Sequence, residues 1–171
     1  MAKDIYFICE AEKTTPEDVL KRHIINNVIG SNPQRQYFSS KMEQYFRYIF
    51  SSSERRVLRY KDSFGKIRAK EFDFVLHDLK IAGEIKVKFK GSRPLKKTIK
   101  AAQNQNNSVE YPLGIIGYTT SVILVVFGAV ENPEISFCDG DTVFNDMINH
   151  GFMNSEIYDY LFLNQQDDEP I

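Results

Sequence analysis

Hydrophobic positions in the first third of the chain follow the spacing of one short strand and two helices. Residues 4–10 are rich in β-branched and aromatic side chains, and they predict a strand that could lie at a sheet edge. Thr15-Pro16 marks the start of a first helix, which we expect to end near Gly30. Asn32-Pro33 marks the start of a second helix, whose apolar side chains recur at three- and four-residue spacing: Phe38, Met42, Tyr45, Phe46, Ile49 and Phe50.

From Val57 the pattern changes to short apolar segments separated by turn residues. A basic helix is expected from about Pro94 through Ala102. Residues 122–127 are apolar without alternation, which is typical of a strand buried on both faces. The strand that precedes the basic helix, the helix itself and the buried strand follow one another as strand, crossover helix and strand, an order that implies a right-handed parallel connection. Three segments before the basic helix predict an antiparallel meander: residues 57–60, 67–76 and 81–89.

The fold class that follows is α/β. We expect a mixed central sheet in which the antiparallel three-stranded meander is followed by the crossover helix and the buried parallel strand, with helices on its faces. Residues 135–138 predict one further strand, and Asp141 is expected to cap a last helix. With 171 residues, the chain is expected to form a single domain, with its core at about 33–150 and a frayed acidic tail at 164–171.

The apolar stretches and the cysteines limit the classes of protein to which the chain can belong. The longest apolar stretch, Val122 to Val130, is too short to span a bilayer, and the N-terminus has no apolar signal region. We therefore expect a soluble cytoplasmic protein with no membrane partner. The only two cysteines, Cys9 and Cys138, lack CxxC spacing, so neither a disulfide framework nor a zinc site is expected.

The second and third meander segments form a hairpin with one charged face. A tight turn at Asp78-Leu79 pairs residues whose numbers sum to 157, so that Asp73 faces Glu84 and Glu71 faces Lys86. Side chains alternate between faces, which places all four charged groups on one side and an apolar set on the other.

Two carboxylates directly opposite each other repel, and a divalent cation would offset that repulsion. Mg²⁺ is typically held by one or two carboxylates, with water and substrate phosphate as its other ligands. Lys86, on the same strand face as Glu84, could orient a water or neutralise charge on a phosphate. The alternative is an ordinary exposed hairpin in which Lys86 forms a surface salt bridge with Glu71.

Asp73, ten intervening residues and Glu84-Ile85-Lys86 within an apolar strand resemble the Asp and Glu-x-Lys signature of the PD-(D/E)XK nucleases, the restriction-endonuclease-like superfamily. The order of helix, meander, crossover helix and buried strand over residues 33–128 is similar to that family's core. Glu43, on the helix before the meander, matches a further acidic position of many members; an i,i+4 pair with Arg47 is its alternative role. The residue before Asp73 is not the family's usual proline, and the glutamine-tyrosine motif of the exonuclease-type subgroup is absent, so the subgroup stays open.

The resemblance implies a metal-dependent nuclease that hydrolyses phosphodiester bonds, with a DNA endonuclease as the more specific expectation. Asp73 and Glu84 would bind Mg²⁺ together with the Ile85 carbonyl, and Mn²⁺ could substitute. Glu43 would be a further candidate ligand, and Lys86 would assist the attacking water. Cutting both strands usually needs two active sites, so a homodimer acting on double-stranded or branched DNA is compatible with this function.

Charge is distributed unevenly along the chain. Residues 55–100 contain fifteen Lys and Arg against five Asp and Glu, whereas residues 101–171 contain no Lys or Arg and eleven Asp and Glu. A basic segment attracts phosphate backbones through its local field, although two solvated faces of opposite sign explain the charge equally well. The candidate DNA contacts are Arg55, Arg56, Arg59, Lys88, Lys90, Arg93, Lys96, Lys97, Lys100 and Gln103.

Two other functions remain open on the sequence. The same fold and basic face could serve a catalytically inactive module that binds nucleic acid or protein. In the second alternative, the acidic residues 101–171 bind a basic partner and the hairpin is only scaffold. Metal-dependent cleavage separates the nuclease from both.

Overall fold

The computed structural model of this chain describes residues 2–10, 15–18, 21, 32–89, 95–130 and 135–162. Its helices are α1 (Asn32–Ile49), α2 (Leu95–Gln105), α3 (Asn107–Ile115) and α4 (Gly140–Asn149), with short 3₁₀ helices at Ala2–Asp4 and Ser155–Phe162. Its strands are β1 (Tyr6–Cys9), β2 (Arg55–Lys61), β3 (Ile67–Glu71), β4 (Phe74–Leu76), β5 (Ile81–Lys88), β6 (Thr119–Val126) and β7 (Cys138–Asp139).

The strands form two sheets in a mixed α/β arrangement. The first sheet is antiparallel, in the order β1-β2-β3, and the second has the order β4-β5-β6-β7. In the second sheet β4 and β5 are antiparallel, whereas β5, β6 and β7 are parallel. The predicted edge strand at the N-terminus and the parallel connection from β5 through the crossover helices to β6 are both confirmed.

One expectation about the meander is wrong, because its middle strand does not run through residues 67–76. The strand breaks at Phe72 and Asp73, and its two halves belong to different sheets. The Phe72 N–H donates to the Arg56 carbonyl in the first sheet (2.9 Å), and the Asp73 N–H donates to the Gly83 carbonyl in the second (3.0 Å). The two residues therefore form a corner at which the chain passes from one sheet to the other.

The predicted register of the hairpin is confirmed on the second side of this corner. Phe74 faces Gly83 and Leu76 faces Ile81, so paired residues sum to 157, and the turn is centred on Asp78-Leu79. On the other side of the corner the prediction fails. Glu71 pairs with Val57 of β2 and does not face Lys86, because the break places it in the first sheet.

Helix α1 packs its apolar face against the second sheet. Phe38, Met42, Tyr45 and Phe46 are buried as predicted, in a core that includes Phe127 and Phe144, while Ile49 and Phe50 at the helix end are exposed. A separate core joins Leu58 and Phe72 of the first sheet to Val109 and Leu113 of α3. These two cores hold the corner between them, with Phe72 fully buried.

The remaining expectations have mixed outcomes. Helix α4 is capped by Asp139, whose carboxylate accepts the Thr142 N–H (3.0 Å), and not by Asp141 as predicted. The strand expected at 135–138 is reduced to β7. Of the predicted helix at 15–30, only residues 15–18 and 21 are described; the tail at 164–171 lies outside the described residues. No helix in the described part of the chain is long and apolar enough to cross a membrane.

Candidate functional site

Asp73 is held at the corner by contacts to both its backbone and its side chain. Its N–H is bonded to Gly83, and its carbonyl accepts a hydrogen bond from Arg47 Nη1 at 3.2 Å. Its carboxylate Oδ2 accepts the N–H of Ile85 at 2.7 Å. The corner carbonyl before it, that of Phe72, accepts from Arg56 Nη1 at 2.9 Å. Two arginines therefore fix the backbone that carries the Asp73 carboxylate.

Glu84 lies beside Asp73 and is buried, with only 5% of the residue exposed. Burial first, and the charge of Asp73 second, raise the pKa of the Glu84 carboxyl to about 7, against a smaller opposing effect of Lys70. Lys70 Nζ lies 3.0 Å from Glu84 Oε1, yet that buried oxygen has no hydrogen bond of acceptable geometry among the described residues. The predicted meeting of Asp73 and Glu84 is therefore present in the structure, with an ammonium group on one side.

Glu43 extends the cluster to a third carboxyl group. It lies on α1, within hydrogen-bonding reach of Asp73, and burial followed by the Asp73 charge raises the pKa of Glu43 far above its usual range. The charge of Arg47 lowers that pKa by a smaller amount, and Glu84 adds a weaker repulsion. Glu43 thus lies close to both Arg47 and Asp73, so its proximity to Arg47 and its place beside the candidate site are compatible.

Lys86 occupies the position that the strand register predicts. Because β5 is continuous through residues 81–88, Lys86 shares a face with Glu84. It is partly buried, and its side chain makes no ion pair or hydrogen bond with any residue that the structure describes. The expected competitor, Glu71, is 63% exposed at its side chain and instead lies 3.5 Å from Arg56 Nη1. The Lys86 ammonium is therefore not tied into the Glu71 salt bridge.

The Ile85 backbone completes one edge of the site. The N–H and C=O of a strand residue point toward the same neighbouring strand. Since the Ile85 N–H is bonded to Asp73, the Ile85 carbonyl points to the same edge of β5, where pairing with β4 ends at Gly83. The carbonyl oxygen and the Asp73 carboxylate consequently lie along one edge.

The carboxylate and carbonyl oxygens of this site match some of the requirements for binding a hard divalent cation. Two carboxylates and a carbonyl are oxygen ligands of the kind that Mg²⁺ takes, although the buried Glu84 Oε1 already has the Lys70 ammonium 3.0 Å away. As the side chains stand, however, no group of three or more His, Cys, Asp and Glu among the described residues has the geometry to hold an ion. Mg²⁺ usually takes only one or two carboxylates and keeps several waters, so Asp73 and Glu84 with the Ile85 carbonyl would be sufficient protein ligands.

The candidate DNA-contacting residues differ in their exposure to solvent. Arg55, Arg59, Lys97, Lys100 and Gln103 are exposed, as a phosphate contact requires. Arg56 is buried and holds the Phe72 carbonyl, so it has a structural role in place of the expected one. Lys88 is 2% exposed and does not present its ammonium to solvent. Lys90 and Arg93 lie outside the described residues, as does the side chain of Lys96.

Lys70 is the residue that the sequence did not point to. An unbroken strand through residues 67–76 would place Lys70 on the apolar face with Phe72, away from Glu84. The break at the corner turns β3 relative to β4, so that Lys70 reaches Glu84 across the two sheets. No local sequence pattern carries a signal for that approach.

Comparison with known proteins identifies no relative, since no family model, no curated protein and no solved structure matches the chain. The buried carboxyl cluster and its neighbouring lysines are therefore what supports a function for this protein.

Proposed function

We propose that this chain is a metal-dependent nuclease that hydrolyses phosphodiester bonds in DNA, with a core of the PD-(D/E)XK, restriction-endonuclease-like type. One observation carries the proposal. The Asp73 carboxylate at the corner and the Glu84 carboxylate on β5 are held side by side. Lys86 lies two residues farther along the same strand face and makes no ion pair or hydrogen bond with a described residue. Such a pair of carboxylates is costly to bury without a cation.

Each residue of the site would have its own role in catalysis. Asp73, Glu84 and the Ile85 carbonyl would hold Mg²⁺ or Mn²⁺, with Glu43 as a further ligand. When bound, the ion would supply a water of lowered pKa and positive charge beside the phosphate. Lys86 would orient that water and stabilise charge on the phosphate oxygens. Arg47 would act as a positioning residue, because it holds the carbonyl of the residue whose carboxylate binds the ion.

The order of elements also supports the proposal. Helix α1, the strands around the corner, the Glu84-Ile85-Lys86 segment on β5, the crossover helices and the parallel strand β6 follow one another as the resemblance implies. On this proposal the protein is cytoplasmic, and it acts on double-stranded or branched DNA, as a homodimer where both strands are cut.

The test is cleavage of plasmid and branched DNA with Mg²⁺, with Mn²⁺ and with EDTA. We expect cleavage with either ion and none in EDTA. Asp73→Asn, Glu84→Gln and Lys86→Met should each lower the rate at least about a hundredfold, because each removes either a ligand of the ion or the lysine that orients the attacking water. Glu71→Gln is the matched control, since this neighbouring carboxylate is exposed and outside the cluster; it should cleave normally. Wild-type protein that binds DNA and Mn²⁺ but never cuts the DNA would refute the proposal that the chain is an enzyme.

A second candidate is a nucleic-acid-binding module without catalysis, and the Lys70–Glu84 ion pair favours it. In that case the ammonium 3.0 Å from Glu84 Oε1 is the permanent partner of the carboxylate, and no metal is needed. Calorimetric titration with Mn²⁺ separates the two candidates. Binding that is lost in both Asp73→Asn and Glu84→Gln supports the nuclease, and no binding by the wild type supports the module.

A further inference from the structure

The hairpin formed by β2, β3 and their turn, residues 55–71, is the most basic element of the described structure. We call it the basic hairpin. It contains seven Lys and Arg against two acidic residues. At its tip stands Phe64, which is 93% exposed, and the neighbouring Ile67 is 64% exposed. A ring this exposed makes no contribution to the core and is free to contact a ligand.

The turn that carries Phe64 is organised by one carboxylate. Asp62 accepts the N–H of Phe64 and the N–H of Lys66, both at 2.9 Å, and Nε of Arg68 at 3.0 Å. Gly65 adopts φ +78°, a left-handed conformation that suits glycine, and its N–H donates to the Asp62 carbonyl. The backbone below the ring is thus fixed before any ligand binds, which lowers the entropy cost of using Phe64 as a contact.

The outer face of the first sheet continues this surface. Pairing places Arg59 of β2 between Tyr6 and Ala69, and Lys61 opposite Ile67. All five residues are exposed, whereas Leu58 and Tyr60, on the other face, are buried. Cations therefore alternate with an aromatic and small or apolar side chains across an open sheet face. Single-stranded nucleic acids are bound by surfaces of this kind, in which cations follow the backbone and aromatic rings stack on bases.

We propose that the basic hairpin binds unpaired nucleobases by stacking on Phe64, with Arg59 and Lys61 holding the adjacent phosphates. The proposal deepens the proposed function, on which it rests for its substrate, because it adds an unpaired segment to the DNA that the chain recognises. The five residues of β3 lie between the turn that carries Phe64 and the corner at Asp73, and an extended strand of that length spans roughly 17 Å. The tip of the hairpin is therefore a binding element outside the carboxyl cluster, and it can be tested without metal or cleavage.

The chain contains no tryptophan, so one substitution supplies a single fluorescent reporter. Phe64→Trp is expected to fold normally because the ring is exposed. Tyr111→Trp is the matched control, since Tyr111 is 72% exposed on α3, next to Glu110 and outside the hairpin in sequence. Both variants are titrated in EDTA with a single-stranded oligonucleotide of about 20 nucleotides and with the matching duplex. We expect strong quenching of Phe64→Trp by the single strand, weaker quenching by the duplex, and no change in Tyr111→Trp.

Fluorescence anisotropy of a labelled single strand measures the affinity of each variant for that strand. Phe64→Ala should weaken single-strand binding about 5- to 100-fold, while Phe64→Tyr should retain it, since stacking needs only an aromatic ring. Equal losses in Phe64→Ala and Tyr111→Ala, or strand binding without quenching of Phe64→Trp, would overturn the proposal. Quenching by anionic phospholipid vesicles but not by the oligonucleotide would assign the hairpin to a membrane surface and also overturn it.

The outcomes separate this proposal from the nuclease itself. If Phe64→Ala binds single strands like the wild type while the protein still cuts DNA, the hairpin proposal fails and the nuclease stands. If quenching is observed but no cleavage occurs with Mg²⁺ or Mn²⁺, the hairpin proposal stands and the nuclease fails.

Discussion

Glu84→Gln is expected to stabilise the metal-free protein at about pH 8 and to have little effect at about pH 4. Burial, followed by the neighbouring Asp73 charge, raises the pKa of the Glu84 carboxyl from 4.5 to about 7. A carboxyl whose pKa is raised by folding contributes its full stability below the unfolded-state pKa, and that stability is lost as pH rises through the folded-state pKa. The glutamine amide has nearly the same shape but carries no charge at either pH.

The magnitude follows from the size of the pKa change. A change from 4.5 to about 7 corresponds to roughly 3 kcal/mol of destabilisation by the ionised carboxylate. This net change already includes the opposing effect of Lys70, whose Nζ lies 3.0 Å from Glu84 Oε1. The expected net gain in the free energy of unfolding is therefore about 3 kcal/mol at alkaline pH, equal to several degrees in Tm.

Urea unfolding in EDTA at both pH values measures this difference. Glu71→Gln is the control, since its exposed carboxylate should change the free energy of unfolding by no more than about 0.5 kcal/mol. Added Mg²⁺ should stabilise the wild type at alkaline pH and leave Glu84→Gln unchanged, because the carboxylate is one of the proposed ligands. Lower stability of Glu84→Gln at alkaline pH, or an equal gain at both pH values, would refute the view that this carboxylate is held ionised at a cost.

Two further predictions concern the surroundings of the cluster. Gly83→Ala should destabilise the protein by about 1–3 kcal/mol in urea unfolding, because the new Cβ would lie 2.1 Å from the Phe74 ring. Gly114→Ala is the control, since its Cβ would lie in open space on α3, and it should be neutral or stabilising. A Gly114→Ala variant less stable than Gly83→Ala would contradict this packing. Lys70→Met should tighten Mn²⁺ binding about tenfold in calorimetry, because the ammonium competes with the ion for Glu84; weaker binding would mean that Lys70 helps to form the site.

Much of the site could be predicted from local sequence patterns. Alternation of side chains and a turn at Asp78-Leu79 were enough to fix the register of β4 and β5. That register brings Asp73 to Glu84 and places Lys86 on the Glu84 face. The three- and four-residue spacing of apolar side chains in α1 likewise identified Phe38, Met42, Tyr45 and Phe46 as core. These features depend on neighbours within a few residues, and so the sequence alone contains them.

The corner at Phe72 and Asp73 was decided by the tertiary structure. Its position depends on burial of Phe72 in the second core and on Arg56 and Arg47, which lie 16 and 26 residues earlier in the chain. An alternating pattern that runs on without a turn signal, as in residues 67–76, cannot reveal such a break.

The ionic partners followed from that corner. It turned Glu71 toward Arg56 and brought Lys70 to Glu84, and it placed Glu43 of α1 beside Asp73. Sequence thus determined which carboxylates meet across the hairpin. Tertiary structure determined which cation lies beside them and how deeply they are buried, because charge pairing and burial depend on elements far apart in the chain.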